Sequence, residues 1–418
     1  MSKRERKLLK LSFDFALNIL YIHLYIHLNM KDQIQDIIAR FGPRLAGSQA
    51  EKLAQEYIAE KMKGITDAVS IDTFESPLTA KWLKLKWYVL GYMLSLALFF
   101  FSPWSALILA IINATVLICD LMRNDGIADF FFPNLTSWNV TATLEPQDEV
   151  QSTLLISGHI DSTKENTWWF RLGKYGGHIT VVIGFLIGLL PIVFVLFLLS
   201  VAFFPSAVGF CHYLYFGFVI LSPLTFIYFT FQDELVVEGA CDNLSGVIIA
   251  KEVVEHFADK NQKGKSILKN TRLRFISFGS EEAGLRGSAA YVKKHLAQLK
   301  AEKAQLLNID SVRLPGQVSI LTGEMMSFVT FDKNLVAKTK AGFESKNIPY
   351  KTGSIPMGAT DAIPFQHKGI PALTIIGINM ESLDPTYHTR LDITENINEQ
   401  ALQNVRDGLV EMVRNWDK

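Results

Sequence analysis

Two long apolar blocks, roughly Trp87–Met122 and Ile179–Phe231, interrupt a sequence that otherwise reads as globular, and they limit every fold the chain can adopt. Crossing a bilayer takes about 20 apolar residues, so each block is long enough to cross twice and too long for a core element. The first opens after Lys81, Lys84 and Lys86, divides at Ser102-Pro103 and closes at Arg123. The second follows Arg171 and Lys174, divides near Pro205-Ser206 and ends before Asp233-Glu234. Sequence on either side of a block must share a compartment to fold together, so each block crosses an even number of times. Two helical hairpins, each of two spans, are the simplest solution, against two buried pairs of core helices. The globular-side flanks carry Lys81, Lys84, Lys86, Arg123, Arg171 and Lys174, while the far turns carry no Lys or Arg. The positive-inside rule then puts the globular part in the cytoplasm.

This reading divides the chain into a basic, amphipathic segment 1–30, a globular unit in three pieces (31–80, 124–175 and 233–418), and hairpins at 81–123 and 176–232. Within the first segment, Leu11–Met30 is apolar but carries Asp14, Asn18, His23 and His27, which are costly inside a membrane. It reads as an interfacial helix. A span and a translation start at Met30 are the other readings. The stretch lacks the clean apolar run and small-residue cleavage site of a secretory signal. The chain has 41 basic and 41 acidic residues, a balance that gives no reason to expect a nucleic-acid partner. Its three cysteines, Cys119, Cys211 and Cys241, imply no disulfide framework.

Within the globular pieces, Gln33–Arg40 has helical spacing, and Ser48 is placed to cap a helix Gln49–Lys63 with Leu53, Tyr57, Ile58 and Met62 on one face. Strands are expected at Val69–Phe74, Ser137–Leu144, Ser152–Ser157, Arg272–Phe278 and Leu306–Asp310, and a helix at Val247–Phe257. Chemistry-bearing residues gather at the ends of these strands. His159 and Asp161 follow the third, positions two apart that face the same way in extended backbone. The Asp161 carboxylate can then accept from one imidazole nitrogen while the other binds a metal. Glu281 and Glu282 follow the fourth, and neighbouring side chains on extended backbone point opposite ways. One glutamate can hold a metal while the other acts as a base. Asp242 lies in a tight loop opening into a helix, Asp310 closes the fifth strand, and His388 sits in Tyr387-His-Thr-Arg-Leu-Asp392. Each is unremarkable alone; a Glu-Glu pair at a helix start is ordinarily solvated.

Together, in this order, Ser-Gly-His-Ile-Asp-Ser, Gly-Ala-Cys-Asp-Asn-Leu-Ser-Gly, Glu-Glu-Ala-Gly-Leu-Arg-Gly-Ser, Asn-Ile-Asp and Tyr-His-Thr-Arg-Leu-Asp resemble the di-zinc aminopeptidase family. That family includes bacterial secreted leucine aminopeptidases, glutamate carboxypeptidases and glutaminyl cyclases. The early Gly-Pro-Arg-Leu-Ala-Gly-Ser also looks like its opening. The resemblance implies a single α/β zinc-peptidase domain with a central, mostly parallel sheet flanked by helices, here interrupted by the two hairpins. It implies that His159 and Asp310 hold one zinc, Glu282 and His388 a second, and that Asp242 bridges both. Glu281 would be the general base and Asp161 the partner that orients His159. The implied activity is removal of N-terminal residues from a peptide substrate at a lipid bilayer. A glutaminyl cyclase-like transferase, an inactive receptor or chaperone, and a transporter are the competing readings. The segment Gly358–Phe365 resembles a substrate-side loop that often has His where this chain has Ala362. Asp361 there could contact a substrate amine or cap a turn.

Overall fold

The structure is a computed structural model that describes residues 29–122, 126–379 and 384–417. The N-terminal segment before Asn29, with its expected interfacial helix, and Arg123 lie outside the described residues.

Eleven strands are present among the described residues: β1 (Val69–Ser76), β2 (Leu135–Leu144), β3 (Ser152–His159), β4 (Lys164–Asn166), β5 (Gln232–Val236), β6 (Thr271–Phe278), β7 (Ala304–Asp310), β8 (Ser319–Glu324), β9 (Val329–Thr330), β10 (Lys351–Ile355) and β11 (Ala372–Ile376). Nine of them form one sheet in the order β1-β2-β6-β3-β7-β11-β8-β10, with β9 beside β8. The centre, β6-β3-β7-β11, is parallel, and β1, β2, β8 and β9 add antiparallel pairings toward the edges. The expected sheet is therefore parallel where it is most buried and mixed outside. The central strands are near-continuous runs of buried residues, as strands covered on both faces require. Helices Met30–Phe41, Ser245–His256 and Glu399–Trp416 pack together beside the sheet, and Arg286–Ala301 packs against Ala362–His367.

The helix expected at Gln49–Lys63 spans Gln49–Met62, capped by Ser48 accepting from the Glu51 amide. Its buried face differs from the periodicity: Leu53 is exposed, while Glu51 and Gln55 are fully buried beside Ala54, Ile58 and Met62. Both polar side chains are engaged, Gln55 with the carbonyls of Trp138 and Ser277 and Glu51 with the Ser280 loop. Hydrogen bonding offsets the cost of burying them.

Both apolar blocks grow from the ends of antiparallel ladders. In the first, Ser76 of β1 pairs with Leu135 of β2, so the chain leaves the sheet at Ser76 and returns beside its point of departure. In the second, β4 and β5 form a separate two-stranded ribbon in which Asn166 pairs with Gln232. The blocks fold as helices Ala80–Phe99 and Pro103–Val116, then Lys174–Phe203 and Val208–Leu221. They share a core of their own, distinct from that of the sheet, in which Phe99 stacks 5.1 Å from Phe194 and 4.4 Å from Tyr215. The outer faces are apolar too, with Phe101, Trp104, Phe185, Phe203, Tyr213 and Ile220 exposed.

Among the described residues, three segments are long and apolar enough by themselves to cross a membrane, against four spans expected: Pro103–Asp120, Lys174–Phe203 and Pro205–Phe229. Helix Ala80–Phe99 is set apart by Lys81, Lys84 and Lys86 in its first two turns. Lys84 is buried between Asp120 at 2.6 Å and Asp129 at 2.5 Å, and Asp129 continues to Arg286 at 2.6 Å. This chain of ions, buried at Lys84 and Asp120 and half-buried at Asp129 and Arg286, joins the base of the first block to the helix that follows Glu281 and Glu282.

Close backbone approach dictates one residue beside the site. A Cβ on Gly158 would lie 2.6 Å from the backbone of Gly246 and Val247, so β3 can lie against helix Ser245–His256 only without a side chain there. Gly158→Ala is expected to destabilise the protein by about 1–3 kcal/mol through overpacking, read as a lower thermal midpoint in detergent.

Candidate metal centre

Parallel pairing brings the strand ends level. His159 at the end of β3 pairs with Phe278 at the end of β6, and on the other side Ser157 pairs with Asn308, which sets His159 beside Asp310. The loop after β6 carries Glu281 and Glu282, the turn Gly239–Leu244 carries Asp242, and the loop beyond β11 carries His388. Four residues in these loops and just after β7 have left-handed backbone without being glycine: Ser280 (φ 55°), Leu285 (φ 59°), Ser311 (φ 52°) and His388 itself (φ 53°). Such conformations persist only where the surroundings enforce them, and here they cluster around the candidate ligands.

All seven residues singled out from the sequence are buried and brought together. Asp242 stands at the centre, with Oδ1 3.2 Å from His159 Nε2 and Oδ2 3.3 Å from His388 Nε2. His388 Nε2 also lies 2.9 Å from Glu282 Oε1, and His159 Nε2 lies 3.8 Å from Glu281 Oε2. Two donor sets result, His159–Asp242–Asp310 and Asp242–Glu282–His388, each with ligand atoms within 4.8 Å of one another and sharing Asp242.

Hydrogen bonds from distant segments hold these side chains in place. The Asp161 carboxylate accepts from the amides of Glu281 and Glu282, both at 3.0 Å, while His159 Nδ1 lies 3.3 Å from the Asp161 main-chain carbonyl and 3.4 Å from Asp161 Oδ1. Asp161 therefore positions the two glutamates as well as the imidazole, a role that the strand pattern could not reveal. Asp392 accepts from the amides of Cys241 and Asp242 at 2.6 and 3.1 Å. Asn243 donates to the Ile309 carbonyl and accepts from the Ser311 amide, locking the Asp242 turn to the end of β7. Arg44, fully buried, donates to the carbonyls of Ile160 (2.7 Å) and Gly239 (3.0 Å), which gives the Gly-Pro-Arg-Leu-Ala-Gly-Ser segment its place in the site. Glu51 accepts from the Ser280 amide at 2.8 Å and from the Ser280 and Ser137 hydroxyls. The His388 loop is held by the strand and helix that open the second block: Asn166 Nδ2 lies 3.3 Å from His388 Nδ1, and Glu165 grips Arg390.

The electrostatics are those of crowded acids. Burial, with the negative charge of Glu282 and Asp361 added, raises Glu281 well above the ordinary carboxylate range. Burial and then Asp242 lift Asp310 to about 6 and Asp392 to about 8. Burial alone would lower both histidines. Glu281 and its neighbours instead raise His159 well above its usual value, and Glu282 with Asp242 raises His388 to about 9. Asp242 is lowered, its two imidazole neighbours outweighing burial.

A pair of divalent cations fits this arrangement. Glu282 Oε1 is buried without a hydrogen-bond partner among the described residues, although it lies 2.9 Å from His388 Nε2, the convergence expected of two ligands aimed at one ion. Three carboxylates and two imidazoles are a donor set suited to zinc. Asp361, fully buried at the start of helix Ala362–His367, also has both carboxylate oxygens unpartnered among the described residues. The Ser288 hydroxyl that faces Asp361 donates to the Leu285 carbonyl. Asp361 makes no side-chain cap of that helix, so the turn-capping role does not account for it.

Residues 219–413 match the description of Peptidase family M28, a span that includes Asp242, Glu281, Glu282, Asp310 and His388 but not His159 or Asp161. The chain is 30% identical over 176 residues to Aminopeptidase YwaD of Bacillus subtilis, covering 40% of this chain and 36% of that one. It spans about a third of the length of the curated relatives it matches. The fold is that of the Bacillus subtilis zinc aminopeptidase BSAP, with a TM-score of 0.56 at 15% identity over 93% of this chain and 95% of that one. A glutaminyl cyclase from Porphyromonas gingivalis is similar at TM-score 0.53 and 13% identity, covering 93% of this chain and 97% of that one.

The Asp392 amide contacts make a test possible that leaves every candidate ligand in place. Asp392→Ala is expected to lower bound metal measurably by elemental analysis. Chelation of the wild type is expected to lower its thermal midpoint, because a ligand bound only by the folded state stabilises it.

Proposed function

We propose that this chain is a membrane-bound, zinc-dependent aminopeptidase that hydrolyses N-terminal peptide bonds. The observation that carries the reading is the pair of donor sets sharing Asp242, with Glu281 beside them. His159 and Asp310 hold one zinc in this reading, Glu282 and His388 the other, and Asp242 both. When bound, two zinc ions polarise the scissile carbonyl and the attacking water. Glu281 takes the proton from that water at its carboxylate and delivers it to the departing amine. Asp161 keeps the loop of Glu281 and Glu282 aligned through their amides and steadies His159. The M28 match and the aminopeptidase relative support this assignment.

A glutaminyl cyclase-like transferase is the second reading, favoured by the structural likeness to such an enzyme. Two complete donor sets speak for hydrolysis instead, since cyclases of this fold work with one metal.

Residues 31–80, 124–175 and 233–418 act as one peptidase unit in this account, with 81–123 and 176–232 as membrane hairpins and 1–30 as a separate segment. Ala80–Phe99 is the fourth span, which an even number of crossings requires, with its lysines at the globular side. The exposed apolar faces of the hairpins support insertion, because a surface of this kind is solvated by hydrocarbon better than by water. The basic flanks favour a cytoplasmic peptidase unit.

Detergent-purified wild type should hydrolyse aminoacyl amides and carry two zincs per chain. Glu281→Gln is expected to keep the metal and lose turnover by roughly 10²–10⁴-fold, the usual contribution of a general base. Asp242→Ala should lose both metal and activity. Full activity in Glu281→Gln would refute the assignment of the base.

A further inference from the structure

A cavity of about 230 Å³ adjoins the metal centre, with Glu282 and Ala283 in its wall. It is not a feature of the globular unit alone. Trp82, Leu83 and Leu85 come from the base of the first apolar block, and Tyr228 and Phe229 from the end of the second. Ala46, from the Gly-Pro-Arg-Leu-Ala-Gly-Ser segment, lines the cavity with Thr163 and Gln232. A larger hollow of about 490 Å³, between β8 and helix Lys333–Ser345, contains none of the candidate ligands.

Two residues of its wall carry a polar atom without a partner. Thr163 is 1% exposed, and its hydroxyl has no hydrogen-bond partner among the described residues; the same holds for Gln232 Nε2. A buried polar group left alone costs about 1–3 kcal/mol, so such groups mark places where a ligand completes the bonding. Both can donate, and a peptide carbonyl is an acceptor that an extended substrate presents at every residue. The volume is below the roughly 300–1,000 Å³ of pockets for drug-sized ligands, which suits one or two residues of a chain rather than a longer segment.

We infer that this cavity, built where the two apolar blocks meet the metal centre, receives the first residues of peptides that lie at the bilayer surface. It holds their main chain through Thr163 and Gln232. The proposal rests on the aminopeptidase reading and deepens it. Its occupant follows from the walls: one side is formed by the metal ligand Glu282, the other by the bases of helices that continue into the apolar bundle. A peptide seated with its N-terminus at Glu282 has the bases of both blocks along its flank, mostly apolar with Lys86 among them, so substrates anchored in the same membrane reach the site along that surface.

The test uses full-length protein in lipid nanodiscs and two peptides of one sequence, one carrying a C-terminal lipid tail. Wild type is expected to cleave the anchored peptide with a kcat/KM at least tenfold higher. Ala46→Phe, which fills the cavity, should abolish that preference. Gln232→Leu, which keeps the apolar walls, should raise KM several-fold with kcat unchanged. Equal cleavage of both peptides, or an unaltered profile in both variants, overturns the proposal. A binding arm separates it from the reading beneath it. A lipid-tailed peptide with an N-terminal benzoylphenylalanine is photo-cross-linked to Glu281→Gln, which needs no turnover. Adducts on residues 78–86 or 228–232 support the cavity even if wild type hydrolyses nothing, an outcome that would defeat the aminopeptidase reading alone. Adducts elsewhere overturn the cavity.

Discussion

Asp242 faces both imidazoles of the site at once, 3.2 Å from His159 Nε2 and 3.3 Å from His388 Nε2, and the rest of the centre is arranged around that contact. Six more carboxylates, of Asp161, Glu281, Glu282, Asp310, Asp361 and Asp392, are buried around it. Like charges withdrawn from water suppress one another's ionisation, which is the direction in which Glu281, Asp310, Asp361 and Asp392 move. A buried charge set of this kind is stable only when paired or coordinated to cations. Arg44 supplies one buried positive charge behind the site, and burial lowers even its guanidinium to about 10. The remaining imbalance lies at the two donor sets, where divalent cations would relieve it.

The sheet positions the candidate ligands, and the apolar blocks contact the loops that carry them. Each block leaves from an antiparallel ladder whose paired ends keep its departure and return together, Ser76 with Leu135 and Asn166 with Gln232. This is how long insertions enter the fold without disturbing the strand ends. Each block is also tied to a different ligand loop. The first reaches the loop of Glu281 and Glu282 through Lys84, Asp129 and Arg286. The second reaches the His388 loop through Asn166, the Glu165–Arg390 pair and Trp169, which stacks on the His388 ring at 6.1 Å. Removing one partner from the buried Lys84–Asp120 pair would cost about 3–5 kcal/mol, because it leaves the other charge uncompensated. Contacts therefore run from both apolar blocks to the loops that carry the candidate ligands.

Much of this was legible in the sequence because it is local. The alternation of Arg272–Phe278 marks a buried strand, and the glutamates that follow it fall at its end, where a parallel sheet collects its functional side chains. Ser48 caps its helix as its residue type suggests. What was not legible depends on contacts between segments far apart in the chain. Asp392 stands in a motif read for His388, yet its work is done on Cys241 and Asp242, some 150 residues away. The Asp161 contact with the Glu281 and Glu282 amides spans about 120 residues. Lys84 read as a flanking charge and proves to be a buried ion, because its partner Asp129 lies beyond the apolar block. Helical periodicity placed Leu53 in the core, whereas hydrogen bonds to neighbouring strands bury Glu51 and Gln55 instead.

The account stands on two cations sharing Asp242. Anomalous X-ray scattering at the zinc edge, from crystals of the metal-loaded protein, reads this directly. The account predicts two peaks about 3.5–4 Å apart, the separation of two-metal sites, one against His159 and Asp310 and the other against Glu282 and His388, with Asp242 between them. A single peak, or two that do not share Asp242, would contradict it.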